Sequence, residues 1–433
     1  MKRFLIICLA PVLALGLQGS PLRAQSAEDV ERLEHRAEDI VAAMGGEAVY
    51  GEVFTDQFVE AVPATQFTAI QGQIESQFGP LIGVDSVEAV TPNGANIAIR
   101  FERGLASGQF TLENGEPYEV TGFLLTDVRP IGDSVEQLLA DIATLPGETG
   151  VLVTSLVSGI EPVAASNADQ QFAIGSTFKL YVLSALAHSI AAGERNWDDV
   201  VHLSERSYPG GQLQNWPLGS PVTLHTLATL MISNSDNTAT DQLIAVLGRE
   251  AVEAELVAAS HSDPSATLPF LTTREMFVLK STTSVDPGEY LAADLDWRRD
   301  ALDSLGDVEP EMADVMAAFT GGPNLIDIEW FASPTDIARL LQRLAALEDD
   351  TALGVLAVNP SMSDSMQGAW DYAGYKGGSE PGVLNLTWLL RDDASGWQVV
   401  TLSWNNPEEV LDNARLEMLG MRAIALASAP AAD

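Results

Sequence analysis

The sequence predicts an α/β (α+β) chain in two parts: a small α+β unit, then a larger unit in which an antiparallel sheet packs with a helical subdomain. Three observations predict it. Helical spacing of apolar residues gives way to period-two alternation before residue 130. A proline and a glycine in VRPIGDS, residues 128–134, then mark a boundary. Beyond it, strand-like segments stand at both ends with long helical segments between them, which implies a sheet assembled from distant parts of the chain.

Taken in order, residues 1–24 read as a signal peptide: the basic start MKR, the apolar run FLIICLAPVLALGL and a small-residue site for cleavage after Ala24. The run is short and broken by Pro11, and no later segment stays apolar for about 20 residues, so no membrane insertion is expected. A periplasmic or secreted protein follows. The one cysteine, Cys8, lies in the leader, which excludes disulfides and thiol chemistry from the mature protein. Loss of Lys2, Arg3 and Arg23 leaves 19 basic residues against 61 acidic ones. Nucleic acid and anionic membranes would be repelled, and the charge, spread along the chain, reads as a solvated surface.

In the small domain, residues 25–130, a helix is expected over 27–44 and a second in VPATQFTAIQGQIESQF, where Phe67, Ile70, Ile74 and Phe78 recur at spacings of three and four. VDSVEAV, ANIAIRFE, SGQFTLE and YEVTGFLLTDV then alternate as strands between Pro, Gly and Asn. Two helices and an antiparallel sheet resemble the small cone-shaped folds of the NTF2 and cystatin-like type. No catalytic constellation falls here, so a docking, lid or structural role is expected. In the main domain, residues 133–425, DSVEQLLADIATL reads as a helix capped by Asp133 or Ser134, and GVLVTSLVSG as a strand. VLNLTWLLRD and WQVVTLSWN are strands, EEVLDNARLEMLGMRAIALA a closing helix, and 426–433 a frayed tail.

The chain has four lysines, and two of them stand in stretches that carry chemistry. In IGSTFK, Ser176 and Lys179 would share a helix face, placing an amine near a hydroxyl. A helix N-terminus favours developing negative charge and burial disfavours the ammonium, so a neutral Lys179 could act as general base towards Ser176. The bland reading is a helix cap beside a surface lysine. In MISNSDNTAT, Ser235-Asp236-Asn237 interrupts two helical segments: Ser235 could relay a proton, and Asn237 could bond both substrate and Lys179, or the stretch simply caps a helix. In GYKGGSE, Lys376 supplies a positive charge while Gly377 and Gly378, at a strand edge, let a substrate backbone approach.

These three stretches, in this order, resemble the penicillin-recognising serine hydrolases: class A β-lactamases, penicillin-binding proteins and related esterases. That family's Ser-x-x-Lys, Ser-Asp-Asn and Lys-Thr/Ser-Gly motifs are matched by Ser176-Thr177-Phe178-Lys179, Ser235-Asp236-Asn237 and Lys376-Gly377-Gly378. WFASPTDIARLLQRLAAL resembles the helix after the family's Ω-loop. The layout is closest to the two-domain cephalosporin-esterase-like proteins with a small N-terminal cone. The resemblance implies a β-lactamase/transpeptidase-like domain and a covalent acyl-enzyme. It makes Ser176 the nucleophile, Lys179 the base, Ser235 a proton shuttle and Lys376 an electrostatic anchor, with an oxyanion hole from the N–H groups of Ser176 and Ser379.

Three departures bear on substrate. Gly377 lacks the hydroxyl that helps bind a β-lactam carboxylate, and Leu386 stands where class A enzymes carry an arginine. The deacylating glutamate has two candidates, Glu275 in LTTREMF and Glu309 in GDVEPEM, each readable as a solvated acid. Lys280 reads as an ion pair, a surface residue or a substrate contact. Tyr208 and Trp216, in RSYPGGQLQNWPLG, either line the cleft or pack. The five histidines show no metal-ligand spacing, so neither metal nor other cofactor is expected. The sequence therefore predicts a serine acyl hydrolase for a small-molecule β-lactam, ester or amide. A D-Ala-D-Ala peptidase and a β-lactam sensor acylated once are the alternatives.

Overall fold

The computed structural model describes residues 26–157, 159–281, 285–306, 308 and 312–427. The expected leader, Glu309 and the tail from residue 428 lie outside these described residues. The chain divides into two compact units, residues 1–133 and 134–433.

The first unit contains α1 (Ala27–Met44), α2 (Tyr50–Val53), α3 (Asp56–Ala61) and α4 (Ala64–Phe78), followed by β1 (Leu81–Thr91), β2 (Gly94–Phe101), β3 (Gly104–Leu112) and β4 (Val120–Pro130). The strands form an antiparallel meander in chain order. Ser26 starts α1 with a capping box: its hydroxyl accepts from Asp29 N–H while Asp29 accepts from Ser26 N–H. Leu33, Ala37, Ile40 and Met44 line the buried stripe of this helix. The short α2 and α3 carry no periodic signal and escape the sequence reading. They form around aromatic packing instead, since Phe54 stacks on Phe58 at 4.6 Å between centroids and meets Phe67 at 5.4 Å.

The second unit begins with α5 (Val135–Ile142), capped by the Ser134 hydroxyl, and continues through β5 (Glu148–Ser155), β6 (Glu161–Ser166) and β7 (Phe172–Ala173). A 3₁₀ turn at Gly175–Phe178 leads into α6 (Lys179–Ala191). The ribbon β8 (Val200–His202) and β9 (Pro221–Thr223) comes next. The helical part follows as α7 (Leu224–Ser233), α8 (Asn237–Leu247), α9 (Arg249–Ala258), α10 (Thr273–Ser281), α11 (Pro287–Ala292), α12 (Leu295–Ser304) and α13 (Met312–Thr320). After β10 (Phe331–Ala332) come α14 (Pro334–Ala345), α15 (Asp350–Ala357) and α16 (Asp364–Gln367). β11 (Tyr372–Glu380), β12 (Val383–Asp392), β13 (Gly396–Asn405) and α17 (Asn413–Ala427) close the chain.

The main sheet is antiparallel in the order β11-β12-β13-β5-β6, so the C-terminal strands pair with the N-terminal ones of this unit as the pattern predicts. One core lies between sheet and helical region, with α6 at its centre: residues 179–187 are all buried. A helix apolar on every side belongs inside. The second core, around Leu386, Trp388 and Trp404, lies under α5 and α17. The closing helix starts at Asn413 rather than near Glu408 because the Asn406 side chain accepts from Glu408 N–H at 2.9 Å and Glu409 N–H at 3.2 Å, turning the chain first. Among the described residues no helix is long and apolar enough to cross a membrane.

Candidate active site

The Ser176 segment is held from below and from the side. Ala173 pairs with Phe331, and Ile174 N–H donates to Trp330 O at 3.0 Å. The Asn405 amide acts as a further strand partner, accepting from Ala173 N–H at 2.9 Å and donating to Ala173 O at 3.0 Å. Thr177 points inward and donates to Asn385 Oδ1 at 2.8 Å, which roots the turn in β12. Phe178 stacks on Trp330 at 3.6 Å. Ser176, between buried neighbours, remains half-buried.

β11 approaches this turn so closely that side chains are excluded. A Cβ on Gly378 would stand 2.5 Å from Ser176 N, and one on Gly175 would stand 3.1 Å from Ser379 N. Gly175 itself adopts φ +50°, which favours glycine. The Ser176 and Ser379 nitrogens therefore flank one tight backbone contact, where the sequence places an oxyanion hole.

Beside it, Ser235 joins two buried amines. Lys179 Nζ donates to Ser235 O at 2.8 Å, Ser235 Oγ at 3.0 Å and Asn237 Oδ1 at 2.7 Å. Lys376 Nζ donates to the same Ser235 Oγ at 3.2 Å and to Gly377 O. Ser235 sits at φ +55°, a conformation that costs a β-carbon residue about 1–3 kcal/mol and persists only where its surroundings impose it. Asp236 imposes it: fully buried, it caps α8 through Ala239 N–H at 2.9 Å and accepts from Gln212 N–H at 2.6 Å and Leu213 N–H at 3.0 Å. Asp236→Ala would strand three N–H donors, and a loss of about 3 kcal/mol or more is expected in a denaturant titration. The cap on α8 is the one that the sequence allows for the Ser235-Asp236-Asn237 stretch, whereas the bonds to Gln212 and Leu213 carry no sequence signal.

Electrostatics follow from burial. Lys179 and Lys376 are 0% and 1% exposed. Desolvation pushes the Lys179 amine down to about 7, although Asp241 and Asp236 pull it back up. Lys376 is driven well below the usual amine range, by burial first and by Lys179 second. At neutral pH the pair cannot carry two full ammonium charges. Burial thus disfavours the positive charge expected on Lys376.

The other expected residues divide. Asn237 reaches Lys179 as expected, but its Nδ2 donates to Pro209 O, tying down the loop that begins at Tyr208. Tyr208 is half-buried beside that anchor, whereas Trp216 is exposed. Gly377 has no room for the missing hydroxyl, since a Cβ there would meet the Tyr375 phenol and stand 3.1 Å from Asn385 O. Leu386 is buried in the core under α17, and a Cβ on Gly420 would lie 3.5 Å from it. Glu275 is neither solvated nor free: Arg249 grips both its oxygens at 2.6 and 3.0 Å, and Thr272 N–H adds a bond at 2.8 Å. Lys280 is a buried ion-pair partner of Glu380. The expectation that Lys179 faces Ser176 needs one correction. The amine's hydrogen bonds go to Ser235 and Asn237, and the Ser176 hydroxyl makes none among the described residues. Among the described residues no group of three His, Cys, Asp or Glu could hold a metal ion.

Solved structures with similar folds include a β-lactamase from Sphaerobacter thermophilus, 22% identical, covering 68% of this chain and 97% of that one with a TM-score of 0.46. A β-lactamase from Chitinophaga pinensis is 15% identical over 67% of this chain and 96% of its own, at a TM-score of 0.45. PBP-A is 16% identical over 67% and 94%, at 0.44. A model of the β-lactamase enzyme family matches residues 133–359, a span that covers more than half of the chain and includes Ser176, Lys179 and Ser235. The chain belongs to the β-lactamase enzyme family, within the penicillin-recognising serine hydrolases.

Proposed function

We propose that the protein is an exported serine acyl hydrolase that opens a β-lactam or a related ester or amide through an acyl-enzyme on Ser176. The observation that carries this reading is the bridge made by Ser235 Oγ between two buried amines, beside a serine whose hydroxyl makes no hydrogen bond among the described residues. A neutral amine keeps two N–H groups and one lone pair, so deprotonated Lys179 has a site for the Ser176 proton. Ser176 Oγ then bonds to the carbonyl carbon while the carbonyl π electrons move onto oxygen, towards the Ser176 and Ser379 N–H groups. On collapse the C–N or C–O bond breaks, and the leaving atom takes the Ser235 proton, which Lys179 replaces. An anionic group on the substrate would favour the ammonium form of Lys376. Water finally cleaves the ester and restores Ser176.

A second reading, a sensor acylated once, is favoured by one observation: the Glu275 carboxylate is already engaged by Arg249 and Thr272, leaving it poorly placed to activate water. A chromogenic cephalosporin, run beside an ester panel, separates the two. Hydrolysis beyond one equivalent supports the enzyme, and a single burst with a stable adduct supports the sensor. If Ser176→Ala leaves either signal intact, both readings fail. Export is tested by the N-terminus of the protein recovered from outside the cytoplasm, expected at Gln25.

A further inference from the structure

Lys280 lies in the last turn of α10, Glu329 immediately precedes Trp330, and Glu380 ends β11, one residue after Ser379. The fold brings these three side chains into one dry cluster. Lys280 and Glu329 are 0% exposed in their side chains and Glu380 is 7%. Lys280 Nζ bonds Glu380 Oε1 and stands 3.6 Å from Glu329 Oε1, which has no hydrogen-bond partner among the described residues. Glu329 Oε2 accepts from Trp330 N–H at 3.1 Å. The two carboxyl groups thus meet on the one amine of Lys280.

One ammonium cannot neutralise two carboxylates. Two carboxylates held on one amine in a water-poor site repel each other unless one of them keeps its proton. The cluster is therefore electrically balanced with one proton shared by Glu329 and Glu380. Consistently, the Glu329 carboxyl is pushed well above the ordinary range, by burial first and by Glu380 second, while Lys280 pulls it down. The other groups around the cluster add little compensation. The Phe319 ring of α13 lies 5.7 Å from Lys280 Nζ. Asn324 donates to Lys280 O at 3.2 Å, and Asp314 lies across a cavity of about 400 Å³ that Lys280 also lines.

Each carboxyl is attached to one side of the oxyanion contact. Glu380 follows Ser379 directly. Glu329 precedes Trp330, whose carbonyl accepts from Ile174 N–H and whose ring stacks on Phe178, so it fixes the strand on which the Ser176 turn rests. Because Gly378 and Ser176 are already as close as glycine permits, a shift of tenths of an ångström between these two segments changes the distances to a developing oxyanion. We propose that Lys280, Glu329 and Glu380 are positioning residues, a shared-proton clamp that holds the Ser176 turn and the Ser379 strand in register for nucleophilic attack.

The inference rests on the serine-hydrolase reading above, and the clamp has a pH signature of its own. When the shared proton leaves, both carboxylates are charged, Glu380 is pushed from Glu329, and the two N–H groups separate. Because the Glu329 proton is held in the folded state and lost in the unfolded state above about 4.5, stability should fall as pH rises from there to the raised value.

The test uses the full protein and a fluorophosphonate, which labels an activated serine whatever its natural substrate, over pH 5.5–10. Wild type should show a labelling rate at Ser176 that declines on the alkaline side. Glu329→Gln, which puts an amide of the same shape in place of the titrating carboxyl, should lose that decline and retain the neutral-pH rate within about threefold. It should also flatten the fall of Tm with pH. Glu380→Gln, leaving Lys280 paired with Glu329, gives a second reading if the first variant does not fold, with the same outcome expected. An alkaline decline unchanged in a folded variant overturns the clamp, and so does a pH-independent loss of rate, which would mean a structural role alone. Normal labelling without cephalosporin or ester turnover contradicts the proposed substrates and leaves the clamp to be judged on these profiles. No labelling of wild-type Ser176 overturns both.

Discussion

Lys179→Met is expected to lower the rate of acylation at Ser176 by about 10²–10⁴-fold, the range set by loss of a positioned proton acceptor. Methionine fills the volume of the lysine stem in the centre of the helical core, where residues 179–187 are all buried, so the fold should persist. What vanishes is the basic nitrogen. Because Lys179 also restores the Ser235 proton in the proposed sequence, both halves of acylation lose their carrier. Burst kinetics with a chromogenic cephalosporin, paired with adduct mass, would measure this. A variant that acylates within tenfold of wild type while folded would remove Lys179 from the chemistry.

Gly378→Ala should be nearly as severe through a different route. The added methyl would stand 2.5 Å from Ser176 N and 2.7 Å from Gly175 C, so turn and strand must part. Overpacking of this kind costs about 1–3 kcal/mol, and backbone atoms cannot move aside as a flexible side chain can. Displacing one N–H from the oxyanion position costs roughly 10²–10³ in rate. The expected result is a folded protein of lower Tm with acylation reduced by at least two orders of magnitude. A lower Tm with full activity would mean that Ser379 N–H does not contact the reacting oxygen.

The parts of the structure that the sequence discloses are those written locally. Ser176-x-x-Lys179, Ser235-Asp236-Asn237 and Lys376-Gly377-Gly378 bring their chemistry within four residues or fewer, and the fold joins Lys179, Ser235 and Lys376 through one hydroxyl. The strands at 383–392 and 396–405 are legible because both are rich in apolar and β-branched residues and bounded by turn residues, and they are buried on both faces. What stays hidden depends on partners far along the chain. Thr177 meets Asn385, Ala173 meets Asn405, and Lys280 meets Glu329 and Glu380, separations no window or motif spans. Glu329 gave no signal beyond standing before Trp330 and the capping box of Ser333 and Asp336. Glu275 misled because its partner Arg249, 26 residues earlier, is reached only after α8, α9 and α10 pack together. Gly377 looked like a lost hydroxyl, yet the Tyr375 phenol already occupies that space.

In the proposed mechanism Lys179 is a buried amine whose proton affinity desolvation lowers to about 7, so that near neutral pH it can take the Ser176 proton. Below that value the nitrogen is an ammonium and cannot accept, so acylation should rise with pH and level off above about 8 until the alkaline decline begins. The direct measurement is the single-turnover acylation rate of wild type from pH 5 to 9. One ionisation near 7 is expected on the rising limb; a rate still climbing at pH 9, as for an ordinary solvated lysine, or a flat profile would rule Lys179 out as the proton acceptor.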